Sequence, residues 1–358
     1  MARIRIENKE YEAEDGLTIL GAAGKAGYYI PTLCHNDDLP HYTSCMVCMV
    51  RDRQTGAFMA SCSVPVQEGM DIDLSSEEVI ALRRKSLELL FSEHRAECEA
   101  PCRMVCPAGY NIPLFNRYLS EGLPEKAADL TAAEIMDKEI ACIRCAGYCE
   151  NACRRKKIDV PVSIRNMKIF LFEKLKAEGK INLAGEDGQP AESVSGKRKS
   201  GRFNSLIGRL EPSEQSEWLK ECVTEVTRCR EIRSHSDAAG EAASCMHCDC
   251  RAAEDCRLRQ LADEFAIRDP RGKLVTAPVV KKINRSNGLI FEHAKCIKCG
   301  LCVRLCEATG EEPGLCFVNR GFGTMVSEPL TADFDEILKT KSREVIDICP
   351  TGALGRLK

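Results

Sequence analysis

Aromatic residues are scarce in this chain. They make up 5% of its 358 residues, and there is a single tryptophan. Large aromatic side chains contribute much of the apolar surface that a core buries, so the cores here are expected to be modest. Bound metal can supply folding free energy that packing does not. The length allows two or three domains, each with a core of its own.

Long apolar runs and an excess of one charge are also missing. No run approaches the ~20 residues of a membrane helix, and the segment MARIRIENKE has no signal-peptide core or twin arginine. We therefore expect a cytoplasmic protein without direct membrane insertion. The formal charge of −3 predicts no nucleic-acid binding. The basic patches CRRKK near Cys153 and GKRKSGR near residue 200 are expected to be solvated surface.

The common catalytic signatures are absent from the sequence. No GxGxxG follows a predicted strand, and GAAGKAG at 21–27 has the wrong spacing for a dinucleotide fold. There is no nucleophile–base constellation or phosphate loop. No catalytic residue and no flavin site is therefore predicted, and any chemistry on a substrate is expected to occur in another chain.

Cysteine, in contrast, is abundant. The 23 cysteines fall mainly into groups with C-x2-C spacing, which argues against a secreted disulfide framework. Thiolate ligation at this density favours iron–sulfur clusters. The predicted metal ligands are Cys34, Cys45, Cys48, Cys62, His94, Cys98, Cys102, Cys106, Cys142, Cys145, Cys149, Cys153, Cys245, Cys248, Cys250, Cys256, Cys296, Cys299, Cys302 and Cys349.

Zinc is the alternative metal. A zinc site uses one closed set of four ligands, which fits poorly with several cysteine groups in one chain. The alternative is most open for CMHCDC-x5-C, whose ligands Cys245, Cys248, Cys250 and Cys256 are predicted to hold one 4Fe-4S cluster or, failing that, zinc.

The segment 1–76 has the spacing Cys34-x10-Cys45-x2-Cys48-x13-Cys62. Residues 2–13 predict a strand hairpin, and a helix that ends near Gly27 is predicted in GLTILGAAGKAGYYIP. A strand carrying Cys62 is predicted in FMASCSVPV, and a strand that closes the sheet is predicted in EGMDIDL. With TIL-AA--AG-YIPTLC and SVPV-EGM, the segment resembles the 2Fe-2S domain of the large iron–sulfur subunits of NADH dehydrogenases and of related hydrogenases and formate dehydrogenases. The resemblance implies a β-grasp fold with one 2Fe-2S cluster on these cysteines.

The segment 77–173 begins with a predicted amphipathic helix at 77–93 and continues as His94-x3-Cys98-x3-Cys102-x3-Cys106-Pro107. NADH dehydrogenases would have His-x3-Cys-x2-Cys-x5-Cys here. Instead, PC-x3-CP, NIP-F, the later cysteines and ID-PVSI resemble the helical two-cluster domain of the glutamate synthase small subunit and of dihydropyrimidine dehydrogenase.

The resemblance implies two 4Fe-4S clusters in this domain. A cysteine before proline ligates the other cluster in two-cluster ferredoxins, so Cys106 is assigned to the later group. The predicted sets are Cys106, Cys142, Cys145 and Cys149 for one cluster, and Cys98, Cys102, Cys153 and His94 for the other. The alternative for His94 is a helix cap.

The remaining chain divides into a polar linker at 174–212, a helical segment with the CMHCDC site at 213–272, and a domain at 273–358. KCIKCGLCVRLCEATG, RGFGT and CPTGAL resemble the ferredoxin-like domain of hydrogenase and formate dehydrogenase subunits. REVIDI stands where a second cysteine run would be, so a single cluster is predicted on Cys296, Cys299, Cys302 and Cys349. Cys222, Cys229, Cys306 and Cys316 are expected to be core or surface thiols.

These patterns predict an α+β, multidomain chain: a β-grasp 2Fe-2S domain, an α-helical two-cluster domain and a C-terminal ferredoxin-like domain. It would carry one 2Fe-2S and four 4Fe-4S clusters and relay electrons in an NAD(P)H-linked complex, with electron bifurcation left open. The resemblances imply a flavin-containing NADH-oxidising subunit, a glutamate-synthase-like flavoprotein, and ferredoxin or a hydrogenase as partners. The alternatives are an input subunit of a hydrogenase or formate dehydrogenase, a free-standing carrier, and a zinc-bound interaction module.

Overall fold

The computed structural model describes residues 1–95, 97–135, 145–179, 212–222, 230–253, 255–267 and 280–357. These form two compact units. The first comprises Met1–Arg95, Asp255–Pro278 and Lys282–Arg356, and the second comprises Ala96–Glu254, Val279–Lys281 and Leu357–Lys358. The segment predicted as 77–173 is thus divided after Arg95, and most of the predicted linker lies outside the described residues.

A five-stranded mixed sheet opens the first unit. Its strands are β1 (Ala2–Ile6), β2 (Lys9–Ala13), β3 (Met49–Asp52), β4 (Phe58–Ala60) and β5 (Asp71–Asp73), in the order β2-β1-β5-β3-β4. The predicted hairpin is confirmed by the antiparallel pairing of β1 with β2. The strand β5 does not close the sheet at an edge but lies at its centre, parallel to β1. In β1 the apolar residues Ala2, Ile4 and Ile6 alternate with exposed arginines, so one face packs onto the core.

Two helices pack against this sheet. The helix α1 (Ile19–Lys25) begins at Thr18, whose hydroxyl accepts a hydrogen bond from the Gly21 backbone N–H. The helix α2 (Glu77–Glu93) begins at Ser76 in the same way and ends at His94, as predicted. Its Val79, Leu87 and Phe91 are buried.

The C-terminal part of the first unit has a smaller mixed architecture. It contains β6 (Lys281–Asn284), β7 (Leu289–Glu292), β8 (Cys316–Val318), β9 (Met325–Ser327) and β10 (Leu354–Arg356), with α10 (Arg257–Glu264), α11 (Leu301–Thr309) and α12 (Ser342–Ile348). One sheet has the order β10-β7-β6 and the other is the pair β8-β9; Lys281 at the start of β6 belongs to the second unit. Leu289, Phe291, Ile337 and Val345 form the buried core.

The second unit is helical in its described residues. The helices are α3 (Pro101–Val105), α4 (Ile112–Ser120), α5 (Pro124–Ile135), α6 (Tyr148–Asn151), α7 (Ile164–Ala177), α8 (Pro212–Leu219) and α9 (His235–Ala242). Asn111 caps α4, and a capping box of Ser234 and Asp237 opens α9. The core packs Phe115 of α4 against Ile164, Met167 and Leu171 of α7 and Ala238 of α9. No helix among the described residues is long and apolar enough to cross a membrane.

Candidate metal centres

The four cysteines predicted for the 2Fe-2S cluster lie together. Cys34 stands on the loop after α1, Cys45 and Cys48 lie directly before β3, and Cys62 follows β4; all four are buried. Cys62 was expected within a strand, but β4 ends at Ala60. The Cys48 and Cys62 sulfurs are 3.2 Å apart, and the Cys45 backbone N–H donates to the Cys34 sulfur over 3.4 Å.

Neighbouring thiols in this loop polarise one another. A hydrogen bond from Cys45 lowers the pKa of Cys34 to about 5, and one from Cys62 lowers the pKa of Cys48 to about 6. The same hydrogen bonds raise the pKa of Cys45 and Cys62. A thiolate is the form that binds metal, so Cys34 and Cys48 are the two sulfurs of this loop that ionise more readily.

The predicted C-terminal site is also assembled within the first unit. Cys296 and Cys299 lie on the loop before α11, Cys302 is on α11, and Cys349 follows the last turn of α12. Burial, together with the neighbouring Cys349 thiol, raises the pKa of Cys296 to about 11 and that of Cys299 to about 12. The pKa of Cys302 is raised for the same reasons, and Cys349 is among the thiols that raise it. The remote Cys349 therefore lies beside the three local thiols.

Cys306 occupies a different environment on the same helix. It is buried in the core with Leu315, whose backbone N–H lowers the pKa of the Cys306 thiol against the effect of burial. A Cβ added at Gly314 would stand 2.6 Å from the Cys306 Cβ, so this packing is tight. The acidic groups that act on its pKa are Glu311 and Glu307.

Arg304 joins the two sites of the first unit. Its guanidinium donates to the Cys34 backbone oxygen over 2.7 Å and to the Pro40 oxygen over 2.7 Å, from a position on α11 two residues after Cys302. The Cys34 thiol also acts on the pKa of Cys299. The loops for the two predicted clusters are therefore neighbours. Sequence reasoning missed Arg304, although an arginine between two cysteines in CVRLC was the available signal.

One predicted set in the second unit lines a small cavity. Cys106, Cys145 and Cys149 face it together with Lys168. Burial raises the pKa of Cys149 to about 12, while the Lys168 ammonium opposes this and the Cys106 thiol adds to it. Cys142, the fourth predicted member, lies outside the described residues. Lys168 is a further residue that the sequence did not single out, and its position suits an anionic cluster.

The other thiols of the second unit are grouped differently from the predicted sets. Burial raises the pKa of Cys102, and the thiols of Cys245, Cys153 and Cys248 raise it further. Cys248 in turn has Cys245 and Cys153 among its electrostatic neighbours. The predicted sets had placed Cys102 and Cys153 with His94, and Cys245 and Cys248 with Cys256.

Four predicted ligands remain: Cys98 and Cys250 lie in the second unit, and His94 and Cys256 lie in the first. The Cys250 backbone N–H donates to the Cys98 oxygen over 3.1 Å within the second unit. In the first unit, the His94 Nδ1 is 3.0 Å from the Lys295 oxygen, and the Cys256 thiol is 3.8 Å from the Pro350 oxygen. A ring nitrogen bonded to a carbonyl fixes the tautomer, so only Nε2 of His94 could be a ligand.

Among the described residues, no group of three or more histidine, cysteine or acidic side chains is close enough together to hold a single metal ion. Thiolates around one zinc ion lie within about 4 Å of one another. A 4Fe-4S cluster spaces its thiolates more widely because irons and sulfides intervene.

Three family models match parts of the chain. Residues 1–77 match the 2Fe-2S iron-sulfur cluster binding domain, residues 88–180 match dihydropyrimidine dehydrogenase domain II, 4Fe-4S cluster, and residues 289–355 match the ferredoxin-like domain of NADH-quinone oxidoreductase subunit 3. The three predicted resemblances are confirmed. The chain is thus an iron–sulfur protein composed of 2Fe-2S and 4Fe-4S domains.

Known proteins similar to this chain are subunits of NAD(P)H-linked oxidoreductases. The gamma subunit of the NAD-reducing hydrogenase HoxS of Cupriavidus necator is 28% identical over 164 residues, which cover 44% of this chain and 69% of the relative. The mitochondrial NADH-ubiquinone oxidoreductase 78 kDa subunit of Candida albicans is 28% identical over 40% of this chain and 21% of its own length. A crystal structure of an NAD+-reducing [NiFe]-hydrogenase aligns with a TM-score of 0.49 and 18% identity, over 99% of this chain and 87% of that one.

Another relative is the alpha subunit of the NADPH-Fe(3+) oxidoreductase of Geobacter sulfurreducens, 32% identical over 116 residues. The match covers 32% of this chain and 13% of that protein. This chain therefore corresponds to a small part of the larger relatives.

Proposed function

We propose that this chain is the iron–sulfur subunit of an NAD(P)H-linked oxidoreductase complex, in which it relays single electrons between flavoprotein subunits and a low-potential acceptor such as ferredoxin. The observation that carries the proposal is the adjacency of the 2Fe-2S loop and the C-terminal cysteine loop. Arg304 bonds the Cys34 oxygen from the helix that carries Cys302. Two cluster sites held side by side by a buried cation form a path for electrons.

The proposed inventory is one 2Fe-2S cluster and four 4Fe-4S clusters, with four of the twenty predicted ligands for each cluster. Buried cations lie beside these sites: Arg304 at Cys34 and Lys168 at Cys149. A cluster with four thiolates is anionic, and a buried positive charge offsets the cost of taking it out of water.

The proposed partners are a flavin-containing NADH-oxidising subunit and a glutamate-synthase-like flavoprotein. NAD(P)H gives up a hydride, which carries two electrons, whereas iron–sulfur clusters accept one electron at a time, so a flavin must stand between them. A second candidate function is electron input to a hydrogenase, which the similarity to the HoxS gamma subunit favours. A cytoplasmic location belongs to the same proposal, which leaves electron bifurcation open.

The test is reduction of the isolated chain under anaerobic conditions. We expect dithionite to bleach the visible absorption, while NADH and NADPH leave it unchanged and no flavin co-purifies. Addition of a flavoprotein subunit purified from the native host should enable bleaching by nicotinamide. Stoichiometric flavin in the isolated chain, or direct bleaching by NADH, would contradict the proposed division of roles. A colourless protein with zinc at every site would contradict the iron–sulfur function itself.

A further inference from the structure

We propose that Cys102, Cys153, Cys245 and Cys248 together ligate one 4Fe-4S cluster inside the second unit, although two of them belong to the domain at 77–173 and two to the distant CMHCDC motif. The inference rests on the proposed iron–sulfur function and names a ligand set that the sequence divides between two clusters. Four observations support it: the packing of the four thiols, the anchoring of their loops, the backbone of the Cys245–Cys248 turn, and the buried positive charges nearby.

The four thiols share one neighbourhood. Cys102, Cys153 and Cys245 pack against the same apolar core of the second unit. Cys248 packs against the small cluster of Trp218, Cys222 and Met246, and the Arg154 guanidinium that follows Cys153 lies 5.2 Å from the centre of the Trp218 ring. The mutual electrostatic effects among the four sulfurs agree with this packing.

Hydrogen bonds anchor the CMHCDC loop to the segments that carry Cys102 and Cys153. The Arg155 guanidinium donates to the Ser244 oxygen over 3.0 Å. Arg155 lies two residues after Cys153 and Ser244 lies directly before Cys245, so this bond holds the two cysteine segments together. At the other end of the loop, the Cys250 backbone N–H donates to the oxygen of Cys98, which lies four residues before Cys102.

The helix α4 also holds this loop. The Asn116 side chain lowers the pKa of the Cys245 thiol, and Arg117 forms a buried ion pair with Asp249. Because both charges are buried, the loss of one would leave the other uncompensated. The loop position is therefore strongly determined by residues that precede it by more than a hundred positions in the chain.

The Cys245–Cys248 turn and the Cys296–Cys299 turn of the C-terminal site share a left-handed backbone conformation at the residue before the second cysteine. His247 has φ 46°, and Lys298, at the same place in Cys296–Cys299, has φ 54°. Non-glycine residues seldom adopt this left-handed conformation. In the C-terminal turn the Lys298 backbone N–H donates to the Cys296 sulfur over 3.4 Å, and in the other turn the His247 backbone N–H lowers the pKa of Cys245. Backbone amides placed in this way stabilise a ligating thiolate.

The charge balance suits a buried anionic cluster. The Arg154 side chain is fully buried, and both it and Lys281 lower the pKa of Cys248 against the effect of burial. Lys281 lies 4.3 Å from the Trp218 ring centre and pairs with the buried Glu221. Two buried cations thus lie against the Trp218 ring, whose apolar cluster also contacts Cys248.

The test is a double-mutant comparison of iron content in the full chain, reconstituted anaerobically. Cys153→Ala and Cys245→Ala should each lose about four irons, and the double variant should lose the same four, since both changes remove one cluster. The matched control is Cys222→Ala, a buried thiol 3.4 Å from the Arg155 guanidinium and outside the proposed set, which should keep all iron. A loss of about eight irons in the double variant would overturn the inference and leave the iron–sulfur function intact.

Serine variants keep the test decisive if an alanine variant does not fold. Serine offers an oxygen in place of the thiolate, so Cys153→Ser and Cys245→Ser should shift the electron paramagnetic resonance signal of one and the same reduced cluster. Shifts in two separate signals would contradict the shared site. Iron absent from the wild-type chain would instead contradict the proposed function on which the inference rests.

Discussion

Individual cysteines in similar sequence contexts have different surroundings in the structure. Cys302 and Cys306 stand one turn apart on α11, yet Cys302 has Cys349 among its neighbouring thiols, whereas Cys306 is packed against Gly314 and Leu315. Cysteines at helical spacing need not serve the same cluster, because a ligand must also point toward the other three thiolates.

A pair of serine substitutions tests this difference. Cys349→Ser should remove or strongly perturb one 4Fe-4S signal in the reduced spectrum, because Cys349 lies beside Cys296, Cys299 and Cys302. The matched variant Cys306→Ser should leave the number of clusters unchanged. Electron paramagnetic resonance with iron analysis measures both. Loss of the cluster in Cys306→Ser and its retention in Cys349→Ser would mean that the four ligands are local.

His94 is the one non-cysteine ligand predicted from the sequence. The hydrogen bond between His94 Nδ1 and the Lys295 oxygen holds the imidazole ring in the way that metal-ligating histidines are held. The His94 backbone N–H also donates to the Leu90 oxygen and so closes the last turn of α2. We predict that His94→Cys lowers the reduction potential of one 4Fe-4S cluster, because a thiolate adds negative charge where imidazole is neutral.

Redox titration of each spectroscopic signal measures this effect. The control is His235→Cys, because His235 hydrogen-bonds Lys174 and is not a predicted ligand. A full set of clusters with unchanged potentials in His94→Cys would favour the helix-cap interpretation.

At the scale of the secondary-structure elements, buried carboxylates stabilise the sheet of the 2Fe-2S domain. Asp52 at the end of β3 accepts hydrogen bonds from the Gln54 and Asp71 backbone N–H groups and from the Thr55 hydroxyl. Burial opposes ionisation, but these hydrogen bonds outweigh it and hold the pKa of Asp52 below its ordinary value. The carboxylate therefore stabilises the folded domain in its ionised form.

This stabilisation should depend on pH. A depressed folded pKa gives stability that is present above the unfolded pKa of about 3.9 and is lost as the pH falls through the folded pKa. Asp52→Asn should cost about 1–3 kcal/mol at neutral pH and nothing near pH 2. Thermal loss of the far-ultraviolet circular dichroism at several pH values checks this, since the cluster itself is lost in acid.

The matched control for Asp52 is Asp15→Asn. The Asp15 side chain is 82% exposed and pairs with the amino terminus at the surface, so its loss should have little effect. An Asp52→Asn cost that stayed constant down to pH 2 would contradict the assigned role of ionisation.

At the scale of the whole molecule, the proposed clusters make a quantitative prediction of metal content. Anaerobically purified protein should contain about eighteen irons per chain, from one two-iron and four four-iron clusters. Combined iron, sulfide and zinc analysis measures it. About fourteen irons with one zinc would show that one of the cysteine sites binds zinc.

The sequence by itself determined the classes of domain. The spacing from Cys34 to Cys62 and the turn CIKC at Cys296 are local patterns, and local patterns fix the geometry that a cluster requires. The hairpin at 2–13 and the helix at 77–93 were also predictable, because each follows from the spacing of apolar residues within one short segment.

The tertiary structure decided which cysteines come together across long distances. Nothing local to Cys245 indicates Cys153 as its neighbour, because the link depends on Arg155 reaching the Ser244 oxygen and on Arg117 pairing with Asp249. In the same way, Arg304 lies beside Cys34 only after α11 has packed. Thiols contribute little directional packing of their own, so the surrounding helices and buried ion pairs set the ligand groups, and those contacts exist only in the folded chain.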